Sequence, residues 1–229
     1  MNISRKELLA TGAAALVPVR VAQHAACVRP SGTPAPFVFD DARFQAILGV
    51  PAQHKQCVAA AKIDDGMVFY AMLATLYAYE FEMREGPGTV HEVAVLYHPQ
   101  GAMLGLGDRI WNEYLTPALP HLRAHLGALR SVPILAGKGN PYLHRQHGVR
   151  LEDDPSIEAL ASRGCHFFVC NNALSGLASM LGTALHGSAE AIYAGLKADL
   201  VPNALVVPAG VMAINAAQEA HFTYLQASL

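Results

Sequence analysis

Short apolar runs of strand length alternate with longer apolar stretches of helical length through most of this chain. The runs 57–63, 90–98, 165–170 and 205–208 carry the strand signature, and 221–226 reads as a fifth. Between them, 67–83, 171–185 and 210–220 read as helices, and 41–48 as a short one capped by Asp40 or Asp41. Segments 109–115 and 119–129 are helical in pattern, although Pro120 restricts the start of the second. A helix over 156–163 closes at Gly164, which suits the residue that follows a helix end. The stretch 103–106 reads as a short extra strand, and 131–154 as a long polar loop. Strands alternating with helices predict a three-layer α/β/α fold around a mostly parallel sheet of about five strands, one domain over 41–229.

Composition supports a core of that kind. The 229 residues are 52% apolar and 15% charged, which argues against disorder. The net charge is −2 and no Lys/Arg cluster exceeds two residues, so no footprint for nucleic acid is present. The first residues differ in kind. Arg5-Lys6 precedes the uncharged stretch 8–19, which suits an export signal and is too short to span a bilayer. Residues 1–26 are read as that signal and 27–40 as a Pro-bearing linker. Ser4-Arg5-Lys6 resembles a twin-arginine motif with lysine in the second place, leaving the Tat and Sec routes both open. A periplasmic location follows, with no stable membrane insertion after the signal is removed. Thiols there meet an oxidising compartment. Cys57 and Cys165 could pair across neighbouring strands, whereas Cys165 and Cys170, five apart on one strand, cannot bridge each other.

The candidate chemistry gathers where the third strand run ends. Cys170 closes that run and a small-residue helix pattern begins at once, at the strand end where α/β sheets place their ligands. A thiol at a helix N-terminus has its thiolate favoured by the helix dipole and free N–H groups. His98 ends the preceding strand run and would sit beside Cys170 if those strands are neighbours, as an ion-pair partner or proton relay. Asn171 and Asn172 could hydrogen-bond a sulfur anion or simply begin the helix, and Asn140 in the long loop could close over the site. His144 and His147 have metal-ligand spacing without an obvious third ligand, and Gly137-Lys138-Gly139 lacks the rest of a phosphate loop. No metal or cofactor is expected. Tyr77 and Tyr79 read as core or interface residues, and a cysteine hydrolase is disfavoured because no Gly-rich elbow surrounds Cys170.

The run Phe167-Phe168-Val169-Cys170-Asn171-Asn172-Ala173-Leu174 resembles the cysteine-bearing segment of the DsrE/DsrF-like family. Asp199-Leu200-Val201-Pro202, Val207-Pro208-Ala209-Gly210-Val211 and Ala217-Gln218-Glu219-Ala220-His221 resemble its C-terminal half, so the likeness runs from about Val90 to Ser228. It implies a three-layer α/β/α fold, assembly as a homo-oligomer, and sulfane sulfur carried on Cys170 between a donor and an acceptor protein, as a sulfurtransferase or carrier. Characterised members work in the cytoplasm, and the export signal sets this chain apart. The alternative is the same fold used as an oligomeric or small-ligand-binding module, with Cys170 inert.

Overall fold

The computed structural model describes residues 37–126 and 137–227. The segment read as an export signal, Cys27, most of the linker, residues 127–129 of the expected helix and residues 131–136 of the long loop lie outside them. Five strands form one parallel sheet: β1 (His54–Ala60), β2 (Val90–Leu96), β3 (His166–Cys170), β4 (Ala204–Val207) and β5 (Thr223–Gln226), in the order β4-β3-β2-β1-β5. Asp40 caps α1 (Asp41–Leu48) by accepting the Arg43 N–H at 3.0 Å. Helix α2 (Met67–Tyr77) follows β1 and ends in a π turn, Ala78–Glu82. After β2 come α3 (His98–Met103), α4 (Asp108–Ile110), a π turn (Trp111–Leu115) and α5 (Thr116–Leu126). Ser156 caps α6 (Ile157–Ser162), and β3 runs directly into α7 (Asn171–Ala184). Ser188 caps α8 (Ala189–Ala198), and α9 (Gly210–Glu219) joins β4 to β5. The three-layer α/β/α expectation holds.

The strand order dictates how unequal the two helical layers are. The steps β1→β2, β2→β3 and β3→β4 all move the same way across the sheet, and right-handed crossovers put their helices on one face. Only β4→β5 doubles back, so α9 lands on the other face, beside α1. The thick side packs Phe69, Met72, Leu76, Trp111, Phe167 and Leu177, and the thin side packs Phe44, Val93, Val95, Phe168 and Ala217. Strand alternation sends Phe167 and Phe168 to opposite sides, where they meet Phe69 at 6.0 Å and Phe44 at 5.0 Å between ring centroids. Burying each of these rings stabilises by about 1.5–3 kcal/mol.

Four expectations change. Residues 103–106 form no sheet strand: successive i→i+3 backbone bonds wind 101–106 into turns, leaving one antiparallel bridge between Leu106 and Leu200. Pro120 lies inside α5 rather than at its start. The carbonyl that loses its partner there belongs to Thr116, where the π turn hands over to α5 and the ladder is already irregular. Helix α8, between β3 and β4, was absent from the expected elements. Cys57 packs in the thin-side core and Cys165 in the thick-side core, so the sheet separates them and both are free thiols. No helix among the described residues is long and apolar enough to cross a membrane.

Candidate functional site at the carboxyl edge of the sheet

Strands β2 and β3 are neighbours, in the register Leu96↔Val169. One residue further, Tyr97 stands opposite Cys170, and the next residues, His98 and Asn171, already begin α3 and α7. Cys170 is the last residue of β3 and the N-cap of α7, with extended backbone (φ −69, ψ 118) and no side-chain cap bond. Its thiol therefore stands where the unpaired N–H groups of a 14-residue helix begin. It is 6% exposed, against 0% for Cys57 and 1% for Cys165. Burial pushes the Cys57 thiol up to about 12. Cys165 is driven well above the usual thiol range, first by burial and then by the Glu92 carboxylate. Both stay protonated. Cys170 is buried as well, but of the three described cysteines it is the most exposed and the one that stands at a helix N-terminus.

The other expected residues divide. His98 is not the end of a strand but the first residue of α3, exposed, with a left-handed φ of 63°. Its ring faces Tyr97 at 6.4 Å, and no hydrogen bond joins it to the Cys170 thiol. The Tyr193 hydroxyl of α8 donates to Oδ1 of Asn171, which ties the start of α7 to α8, while Asn172 is exposed. Asn140 is 3% exposed and its side chain is fully committed to the main chain. Its Nδ2 donates to the Leu104 and Leu106 carbonyls at 3.1 and 2.8 Å, and its Oδ1 accepts the Tyr142 N–H at 3.0 Å. That makes Asn140 the anchor of the long loop rather than a ligand for substrate. His144 gives both ring nitrogens to carboxylates, Asp108 at 2.5 Å and Glu158 at 3.1 Å. These hydrogen bonds, Asp108 first, raise its pKa above the ordinary histidine value, and the ring links the two carboxylates. Tyr79 stacks on His54 at 3.8 Å, while Tyr77 is partly exposed against Phe81.

Sequence reading missed Tyr97 and Gly210. A Cβ on Gly210 would lie 2.4 Å from Cβ of Tyr97, so the bare glycine lets the start of α9 press against the residue opposite Cys170. The Tyr97 hydroxyl donates to Oε1 of Gln226 on β5 at 3.3 Å, and Tyr224 donates to the same oxygen at 2.6 Å. The carboxyl edge of the sheet thus carries polar groups from β5 to β3: Gln226, Tyr97, His98 and Asn171. What could have exposed Tyr97 was its position: it directly follows the apolar residues 93–96, where β2 leaves the sheet.

No protein-family model matches this chain, and neither the curated proteins nor the solved structures yield a match.

Proposed function

We propose that this chain is an exported, DsrE-like protein that takes up sulfane sulfur on Cys170 and passes it to an acceptor thiol. The observation that carries the reading is the place of Cys170: carboxyl end of a central strand, N-cap of α7, and more exposed than the other described thiols. A cysteine thiolate attacks the outer sulfur of a donor such as thiosulfate, the new S–S bond forms as the bond to sulfite breaks, and Cys170 is left as a persulfide. An acceptor thiolate then attacks the outer sulfur, carries it away as its own persulfide, and returns the Cys170 thiolate. The α7 N-terminus favours the anion both before the first step and after the second. Exposure of 6% suits a small donor rather than a bulky one.

The test is mass spectrometry of the full chain after incubation with thiosulfate or polysulfide. A gain of about 32 Da per sulfur atom is expected, localised to Cys170 and absent in Cys170→Ser. No adduct with either donor overturns the reading. A second reading, an inert cysteine in a ligand-binding module, draws on the membership of Cys170 in the thick-side core.

A further inference from the structure

A second feature of the carboxyl edge lies at the mouth of β1, away from the thiol. A cavity of about 210 Å³ opens between the β1–α2 turn and the long loop. Its walls are aromatic: Phe69 and Tyr70 of α2 on one side, and Tyr142 of the loop on the other. The rings of Phe69 and Tyr142 lie 5.8 Å apart at 44°. Tyr142 is held close because Gly66 has no side chain: a Cβ there would come within 2.6 Å of its ring. The loop is fixed rather than draped. Asn140 pins it to two carbonyls, and the buried Asp154 accepts the N–H groups of Gln146 and Ser156 at 3.0 and 2.9 Å. The cavity is therefore preformed, the condition under which binding costs least in ordering.

Its charge is equally informative. Two titratable side chains line it, Asp65 and His144. His144 is already paired with Asp108 and Glu158. Asp65 lines the cavity, is exposed, and has no hydrogen bond or ion pair with any described residue, so its carboxylate is free to pair with a bound cation. Ring faces attract cations, and a carboxylate beside them adds a full opposite charge. At about 30 Å³ for each water-sized group, the volume takes roughly seven such groups, too few for a nucleotide or a large cofactor.

We infer that this cavity binds a small organic ammonium ion, its charged head between Tyr70 and Tyr142 and paired with Asp65. The site is independent of the thiol reading. The experiment is isothermal titration calorimetry of the full chain with choline, against 3,3-dimethyl-1-butanol, which has the same shape and no charge. One-to-one binding of choline is expected, with no measurable heat from the alcohol. Asp65→Asn removes the charge and keeps a residue tolerant of the left-handed φ of 51° at this position. Tyr70→Ala removes a half-exposed ring that the core does not need. Each is expected to weaken choline binding at least tenfold. No binding of choline, equal binding of the alcohol, or unchanged binding in both variants overturns the inference.

Discussion

The two ends of β3 carry a cysteine each, and the protein treats them in opposite ways. At the amino end, Cys165 lies in a buried polar cluster with Glu92, whose Oε2 is 3.9 Å from its sulfur, and with the Arg163–Glu80 ion pair at 2.8 Å. Glu92 is 1% exposed, and the two members of the pair are 9% and 8% exposed. The Arg163–Glu80 pair ties that cluster together, and burial with the nearby Glu92 keeps the thiol protonated. At the carboxyl end, no carboxylate among the described residues is hydrogen-bonded to Cys170, and the residue itself is the N-cap of α7. Position along one strand, rather than residue type, separates the thiol held in a buried polar cluster from the thiol at a helix N-terminus. The same asymmetry governs parallel sheets generally, because helix N-termini collect at the carboxyl edge.

The sharpest way to break the comparison is to unbalance the amino end. Arg163→Ala leaves Glu80 buried without its cation, and a loss of about 3–5 kcal/mol in chemical denaturation is expected. A loss below about 1 kcal/mol would show that the cluster is not holding the fold. The carboxyl end responds to volume rather than charge. Gly210→Ala drives a methyl group against Cβ of Tyr97, and a loss of about 1–3 kcal/mol is expected together with a changed rate of alkylation at Cys170. An unchanged alkylation rate would separate Tyr97 from the thiol.

A gentler probe uses pH. Burial raises the Glu92 carboxyl well above its usual 4.5, so the folded state binds the extra proton and this group's stability falls as pH rises from that value through the folded one. Burial lowers His91 and His166 below 6.5, so their stability is present above 6.5 and is lost as pH falls through the window beneath it. Between about 4.5 and 6.5 the two slopes oppose each other. Glu92→Gln removes one of them, and a stability that climbs more steeply with pH over that window is expected in denaturation curves. A profile parallel to that of the parent chain would place the Glu92 carboxyl near its ordinary range.

Much of this edge was legible from residues alone. The Cys170 junction could be read because a strand-length apolar run stops at a cysteine and helical spacing starts in the next residue. The neighbouring position of His98 needed only the order of the strands, which β2–β3 pairing supplies. Its detachment from the thiol was not legible, since it depends on the left-handed turn with which α3 begins. Asn140 misled for a different reason: a buried amide in a loop is as well suited to backbone carbonyls as to a substrate, and sequence does not distinguish them. Helix α8 carried readable signals in its Ser188 cap and the spacing of Ile192 and Leu196, but Gly187 and Gly195 broke up the pattern. The opposite placement of Cys57 and Cys165 follows from strand parity and register, which become known only once β1 and β3 are placed in the sheet.

The central proposal is that one of the three described thiols is poised to react, and peptide-resolved alkylation measures it directly. With limiting iodoacetamide at neutral pH on the folded chain, Cys170 is expected to be modified at least about tenfold faster than Cys57 or Cys165. Equal rates at all three, or modification of Cys170 only after the chain is unfolded, would contradict the account.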